Sequence, residues 1–247
     1  FGPIIGGALH DLWHMNAAFY TMGVISFLSL LFLIFMLPEI NAHKNVTPSS
    51  FKTILKNKTM QAMLIFRTLN AYGIAALMGF LPLVAERINV SVFQIGFVVS
   101  SNLLVSSIFQ RYFGILSDKS DKIFMLIAGS LMMLVALALI PFSTGFYSLL
   151  FYNLLMGFGS AISIPAGSAI TAQLGRRLGM GSVMGLFNTA FGIGGGVGPI
   201  IAGLIMIATG LKFVFISSAI IVLIGTIIFY YLMKNNIEYK MAQEVQT

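Results

Sequence analysis

The sequence contains no cysteine, and only 9% of its 247 residues carry a charge. Without cysteine, neither a disulfide framework nor a thiolate metal site can form. Soluble domains carry roughly 25% charged residues, so this composition excludes an ordinary soluble domain. The hydrophobic share is correspondingly high, at 58%. The composition therefore predicts an integral membrane protein.

Acidic residues and histidines are also scarce, and none falls inside an apolar segment. We therefore expect no carboxylate at membrane depth in this chain, so an acid that carries a coupling proton would belong to helices outside it. The histidines lie in two separate loops, which is a poor basis for a membrane enzyme. No catalytic residue, metal or cofactor is predicted. The residues concerned are Asp11, Glu39, Glu86, Asp118, Asp121, Glu238, Glu244, His10, His14 and His43.

Apolar segments separated by short polar turns make up most of the chain. A helix needs about 20 apolar residues to cross a bilayer. We predict an all-α fold with seven full transmembrane helices and one truncated helix at the start. The chain opens at Phe1 inside a helical motif, without an initiator methionine, and is interpreted as the C-terminal portion of a longer polypeptide. The full spans are 15–37, 60–84, 92–113, 123–140, 146–172, 181–209 and 213–233.

A glycine-rich segment at 181–203, GSVMGLFNTAFGIGGGVGPIIAG, is the most distinctive stretch of the sequence. Gly194 and Gly198 stand four residues apart on one helix face, a spacing that lets two membrane helices pack closely. Pro199 removes a backbone donor and is predicted to bend the helix at this point. Gly225, in the last span, has no glycine at this spacing, so valine there is predicted to do less harm than valine at Gly198.

The same segment has a second copy at the start of the chain. FGPIIGGAL, which contains Gly2 and Pro3, aligns with VGPIIAGLI at 197–205, which contains Gly203, with five identities in nine positions. Because six steps along the predicted spans separate the copies, both cross the membrane in the same direction. This is the geometry of a parallel repeat.

Lysine and arginine are distributed unevenly between the two sides of the predicted membrane. Ten lie on the side of the long central loop and two lie on the opposite side. Because cytoplasmic loops collect these residues, the first side and the C-terminus are predicted to be cytoplasmic. The net charge of +7 is thus read as a topology signal and a contact with membrane lipids, not with nucleic acid. The ten are Lys44, Lys52, Lys56, Lys58, Lys119, Lys122, Arg176, Arg177, Lys234 and Lys240, and the two are Arg87 and Lys212.

The stretch GILSDKSDK at 114–122 resembles the signature loop between helices 8 and 9 of the major facilitator superfamily. In that family two six-helix bundles flank a central cavity. The resemblance implies a cytoplasmic latch that holds one conformation, formed here by Gly114, Asp118, Lys119 and Lys122. The alternative is a solvated turn whose aspartate caps the next helix.

The resemblance also implies a division of the chain into four parts. Residues 1–37 would hold the end of helix 5 and helix 6 of the N-terminal bundle, and residues 38–58 would be the cytoplasmic central loop. Residues 59–233 would be the C-terminal six-helix bundle, followed by a cytoplasmic tail at 234–247. The missing N-terminal helices would then be a partner of this chain.

Two further stretches resemble the bacterial drug–proton antiporter branch of the family. The glycine–proline helix is similar to helix 5 of antiporters, although packing by small residues alone is the alternative. The sequence FLPL at 80–83, followed by QIG at 94–96, is similar to the end of one helix and the start of the next in that branch.

Arg67 is the one charge that this reading places well inside a span. A central arginine costs roughly 2.5–3.5 kcal/mol on insertion scales, so it is predicted to contact an anionic substrate or to relay coupling. The alternative is that its side chain extends to the membrane interface. Polar residues of other spans either line the same cavity or form hydrogen bonds between helices. The predicted substrate-binding residues are Arg67, Asn70, Asn102, Gln110, Asn153 and Asn188.

These features favour a secondary transporter of the plasma membrane over an enzyme. We expect it to export small, lipophilic molecules by alternating access, with a proton as coupling ion. A facilitator or symporter for sugars or organic acids is the alternative, and it would need a more polar cavity. An integral membrane enzyme or a structural subunit is the alternative from a different class.

Overall fold

The computed structural model describes residues 5–6, 9, 15–36 and 50–234. Within these residues the chain forms eight α-helices and no strand. Gly2, Pro3, most of the central loop and the C-terminal tail lie outside the described residues. The helices are α1 (Met15–Met36), α2 (Phe51–Lys56), α3 (Lys58–Arg87), α4 (Val92–Lys119), α5 (Lys122–Leu139), α6 (Phe146–Leu178), α7 (Met180–Thr209) and α8 (Leu211–Lys234).

Seven of the described helices are long and apolar enough to cross a membrane. They are α1 and α3 to α8, so the prediction of seven full spans is confirmed. A short 3₁₀ turn at Ile140–Phe142 extends α5. The fold is therefore an all-α bundle of membrane-spanning helices, as expected.

Local side-chain chemistry sets several helix starts. The Ser91 hydroxyl accepts a hydrogen bond from the Gln94 backbone N–H (3.2 Å), and the Gln94 side chain accepts one from the Ser91 N–H (2.9 Å). This reciprocal pair satisfies two backbone donors at the start of α4. Asn57 caps α3 in a similar way, because its side-chain oxygen accepts a hydrogen bond from the Met60 N–H at 3.1 Å.

Two predicted loops are wrong, because the helices run further than apolar character alone indicated. The signature stretch at 114–122 is largely helical, since α4 continues to Lys119. The Asp121 carboxylate then caps α5, accepting a hydrogen bond from the Ile123 N–H at 2.8 Å. The segment at 173–180, which the predicted spans leave as a turn, belongs mostly to α6, which continues to Leu178. Gly179 alone makes the turn into α7, with a φ of 106° that suits glycine.

Helices α3 to α8 form the core of the bundle. Helix α6 packs against α4, α5 and α7, and helix α3 packs against α7 and α8, while α8 also contacts α5. Leu77, Leu137 and Phe215 are among the side chains fully buried between them. None of the described side chains of helix α1 is buried in this core, and most of its apolar ones are exposed. Its assignment to a separate N-terminal bundle stays a prediction.

Candidate substrate pocket and the contact between α3 and α7

The glycine-rich segment of α7 packs against α3, and the two helices are close enough there for their backbones to touch. A Cβ atom at Gly194 would collide with the Thr68 carbonyl oxygen and lie 2.8 Å from the Ala71 Cβ. A Cβ atom at Gly198 would lie 3.2 Å from both the Cα and the carbonyl oxygen of Tyr72. The close approach expected at these two glycines is therefore present, and its partner is α3.

The other glycines of α7 do not share this contact. A second pair at four-residue spacing, Gly192 and Gly196, has no atom within 4 Å of the Cβ positions, and neither has Gly195. Gly203 has only the tip of the Phe80 ring, at 4.0 Å. One face of α7 therefore packs on α3, and the opposite face is open in the described part of the chain.

Gly225, which was expected to tolerate valine better than Gly198, also has a close neighbour. A Cβ atom there would lie 2.9 Å from the Leu69 Cβ and 3.1 Å from its Cδ1. The reason is that α8 also packs against α3, through Leu69 and not through the residues that face the glycines of α7. A single glycine suffices for a close approach when the facing residue is large. Pairs of glycines at four-residue spacing therefore indicate only some of the close contacts between helices.

The Arg67 guanidinium is held between two aromatic rings of α7. Its Cζ atom lies 4.8 Å from the centre of the Phe187 ring and 4.5 Å from that of Phe191. Its Nε atom is buried and has no hydrogen-bond partner in the described part of the chain. Both distances are within the range of attraction between a cation and an aromatic face.

The aromatic contacts bear on the two positions foreseen for the Arg67 side chain, in a cavity or at the membrane interface. At 1.5 Å per residue, Arg67 lies about 13 Å along α3 from Lys58. Phe187 and Phe191 lie about 10 and 17 Å along α7 from Met180, which is the same end of the bundle. The guanidinium is therefore held at about the depth of its own backbone.

A pocket opens beside this contact, between α3, α5, α6 and α7. Five of the side chains that line it are apolar: Phe66, Ile74, Met133, Ile164 and Phe187. Its polar lining consists of Arg67, Asn70, Ser160 and Ser163. The enclosed part measures about 20 Å³, enough for one water molecule.

Two of the six predicted substrate-binding residues, Arg67 and Asn70, line this pocket. The Asn70 amide is buried and donates to the Phe66 carbonyl oxygen at 3.2 Å. Sequence reasoning missed Ser163, Phe187 and Phe191. The two phenylalanines stand four residues apart and in register with the packed glycines of α7, a signal that was available in the sequence.

The other predicted site residues lie elsewhere. Asn102 and Asn153 are buried where α4 meets α6, and the Asn102 amide donates to the Asn153 carbonyl oxygen at 2.7 Å. Gln110 is half-buried and donates to the Ser106 hydroxyl one turn earlier, at 3.2 Å. Asn188 is exposed on α7. Their roles in substrate binding stay predictions.

The residues of the predicted latch lie at one end of the bundle. Asp118 and Lys119 are exposed in the last turn of α4, and Lys122 is half-buried at the start of α5. A Cβ atom at Gly114 would lie 3.9 Å from the Pro165 Cβ, an ordinary contact. The alternative to a latch was an aspartate that caps the next helix, and such a cap is present at Asp121. The latch itself stays a prediction.

Arg111 is a charge that sequence reasoning overlooked. It is exposed on α4, which continues for about 12 Å beyond it to Lys119. It lies outside the pocket lining.

The sequence of this chain matches a family of membrane transport proteins, in agreement with the membrane-spanning fold. A sequence model described as Major Facilitator Superfamily matches residues 63–244, which include Arg67, the pocket and the packed face of α7. An uncharacterised MFS-type transporter of Methanocaldococcus jannaschii is 29% identical over 237 residues, which cover 93% of this chain and 61% of the relative.

Two relatives with more specific names are more distant. The multidrug resistance protein MdtG of Proteus mirabilis is 27% identical over 68% of this chain and 43% of its own length. The multi-drug resistance efflux pump PmrA of Streptococcus pneumoniae is 27% identical over 65% of this chain and 40% of its own length. The chain thus spans less than two thirds of the length of these relatives. The matches point to a transporter and not to an enzyme, and the chain belongs to the Major Facilitator Superfamily.

Proposed function

We propose that this chain is part of a secondary transporter that exports small, lipophilic molecules by alternating access, with a proton as coupling ion. The observation that carries the proposal is the lining of the pocket. Five apolar side chains surround four polar ones, an arrangement suited to an apolar ligand that is oriented by a few polar contacts. A sugar would need many more hydrogen-bonding groups.

The relatives support export in particular. Two of them carry names that refer to multidrug resistance, although they are about one quarter identical to this chain. We extend the proposal to location and topology: the protein lies in the plasma membrane with its C-terminus in the cytoplasm. The four-part division of the chain and the latch around Asp118 belong to the same proposal.

We assign the conformational change of the proposed transport cycle to the contact between α3 and α7. Packed helices shift between discrete arrangements because tightly packed surfaces do not deform continuously. In our proposal α7 moves against α3 along the side of Gly194 and Gly198. This movement enlarges the neighbouring pocket, which in the arrangement described has room for only one water molecule, so that a ligand can enter. The pocket and the contact share α7, since Phe187 lines the one and lies on the same helix as the glycines of the other.

Efflux of a neutral lipophilic dye tests the proposal. Cells that produce this chain together with the N-terminal helices expected as its partner are loaded with N-phenyl-1-naphthylamine, and the loss of the dye is followed by fluorescence with and without a protonophore. We expect export that the protonophore abolishes. Ile164→Trp should lower it about tenfold by filling the pocket, whereas Ile224→Trp, on an exposed position of α8, should not. Export that is unaffected by Ile164→Trp would contradict the assigned pocket, and export that is insensitive to the protonophore would contradict proton coupling.

A further inference from the structure

We infer that the pocket selects lipophilic organic anions, whose carboxylate or sulfonate group binds the Arg67 guanidinium while the apolar body lies against Phe66, Ile74 and Ile164. This inference rests on the proposed function and narrows its substrate class. It depends on three features of the pocket: an uncompensated charge, free donors on that charge, and neighbouring hydroxyls without strong partners.

The charge of Arg67 has no counter-charge in the described part of the chain. The acidic residues described there are Glu86, Asp118 and Asp121, and all three lie at helix ends. A cation at membrane depth without an acid beside it costs free energy that an anionic ligand would recover. The two phenylalanine rings lessen that cost, but they bring no negative charge.

The ring contacts also leave the guanidinium able to bind. A guanidinium has five N–H donors in one plane, and this fork matches the two oxygens of a carboxylate. The contacts with Phe187 and Phe191 engage the cation through aromatic faces, which accept none of these hydrogen bonds in the ordinary sense. The buried Nε has no acceptor among the described residues. An anion would supply the missing acceptor.

Two serines of α6 line the same pocket and have hydroxyls to offer. Ser160 has no hydrogen-bond partner in the described part of the chain, and Ser163 makes only a long contact of 3.8 Å with the Met133 sulfur. Either hydroxyl can donate to an anionic oxygen. Asn70, by contrast, already donates its amide to the Phe66 carbonyl. The pocket therefore combines one positive charge with hydroxyls that can donate, which favours an anion over a cationic ligand.

A matched pair of ligands tests the inference. 1-Naphthaleneacetate and 1-naphthaleneacetamide have nearly the same shape and differ in charge. Binding of each is measured by equilibrium dialysis on the purified full chain in detergent, at fixed salt. We expect the acid to bind at least about tenfold more tightly than the amide, as a charge-assisted pair with arginine would provide.

Variants at Arg67 separate a specific pair from general attraction. Arg67→Gln should abolish the preference for the acid over the amide, because the variant has no charge to pair with the carboxylate. Arg67→Lys should retain only part of the preference, because an ammonium lacks the planar fork. Lys212→Gln is the matched control: it removes one positive charge that lies over the Phe142 ring at 4.7 Å, outside the pocket, and should leave the preference unchanged.

The possible outcomes divide clearly. Equal binding of acid and amide by the unmodified protein overturns the inference and leaves the proposed export of neutral lipophilic molecules intact. A preference that survives in Arg67→Gln, or that is lost in Lys212→Gln, also overturns it. If neither ligand binds, the inference falls, and the efflux of N-phenyl-1-naphthylamine decides separately whether the proposed function stands. If Arg67→Gln does not fold, the reduced preference of Arg67→Lys decides the matter.

Discussion

At the scale of single residues, the absence of a side chain at Gly198 sets the distance between two helices. Gly198→Val places its side chain against the backbone of Tyr72, where even the Cβ would lie at 3.2 Å. Overpacking of this kind costs about 1–3 kcal/mol. We expect a lower midpoint of thermal unfolding in detergent and a loss of dye efflux at matched protein levels.

Gly196 supplies the control for this substitution. It lies on the same helix two residues away, and nothing lies within 4 Å of its Cβ position. Gly196→Val should therefore leave both the unfolding midpoint and efflux nearly unchanged. Gly225, which spacing alone had indicated as a control, is unsuitable because Leu69 fills the space beside it. Equal effects of valine at 196 and 198 would mean that the contact with α3 does not govern transport.

The surroundings of Asn102 indicate a role in joining two helices and not in binding substrate. Its amide joins α4 to α6 through the Asn153 carbonyl, and it lies outside the pocket lining. Hydrogen bonds between membrane helices contribute about 1 kcal/mol or less. We expect Asn102→Ala to lower the unfolding midpoint slightly and to leave the affinity for 1-naphthaleneacetamide unchanged. Asn188→Ala, at an exposed position, should change neither, and a loss of ligand affinity in Asn102→Ala would instead support the predicted role in substrate binding.

At the scale of elements, the closest approach between α5 and α6 is backbone to backbone. A Cβ atom at Gly159 would lie 2.6 Å from the Gly129 carbonyl oxygen, and one at Gly129 would lie 2.5 Å from the Gly159 carbonyl oxygen. Neither neighbour is a side chain that could rotate away. Gly159→Ala should therefore force the two helices apart and lower stability by about 1–3 kcal/mol.

Gly79 is the control position for the substitution Gly159→Ala. It lies within α3 with nothing within 4 Å of its Cβ position. Alanine has a higher helix propensity than glycine by about 1 kcal/mol, so Gly79→Ala should be neutral or stabilising. Thermal unfolding of both variants in the same detergent measures the difference. If the two variants unfolded at the same temperature, the α5–α6 contact would be looser than the structure has it.

The elements also show how far the sequence could predict this structure. Apolar runs indicated all seven spans because length and hydropathy dominate insertion into a bilayer. Helix ends were harder to predict, since Asp118, Arg176 and similar residues are compatible with helix beyond the membrane. The pocket depended on which helices are neighbours, and the charge of Arg67 signalled it, whereas Ser163 and Phe187 look like ordinary membrane residues until α6 and α7 are placed beside α3.

Contacts between glycines illustrate the same limit. The pair Gly194 and Gly198 was found from its spacing, because such a pair presents a flat strip to a neighbour. Gly129 and Gly159 lie on different helices, so no spacing within either helix relates them. Their meeting is a property of the assembled bundle.

At the scale of the whole molecule, the absence of cysteine makes the topology directly testable. Single cysteines are introduced at 119, 176 and 212, and intact cells are treated with a thiol reagent that does not cross membranes. Only cysteines that face the outside are then labelled. The uneven distribution of lysine and arginine predicts that positions 119 and 176 are cytoplasmic and protected. Position 212, in the first turn of α8, should be labelled. The reverse pattern would invert the proposed orientation.

Pro199 has a consequence for the backbone of α7. Proline has no N–H to donate to the carbonyl four residues earlier, which is that of Gly195. No atom lies near the Cβ positions of Gly195 and Gly196, so no side chain of the described residues covers this face. A bare carbonyl is not tolerated in hydrocarbon, because every backbone polar group there needs a partner.

We therefore expect this point of α7 to be hydrated during the transport cycle. A cysteine at 196 should react with a small water-soluble thiol reagent in permeabilised cells. Ile224 of α8 lies at a similar depth, about 20 Å from the turn between the two helices, and is exposed on the bundle surface. A cysteine at 224 should stay unreactive if that surface faces lipid. The glycine–proline segment would then be the place where water enters the membrane-spanning part of the protein.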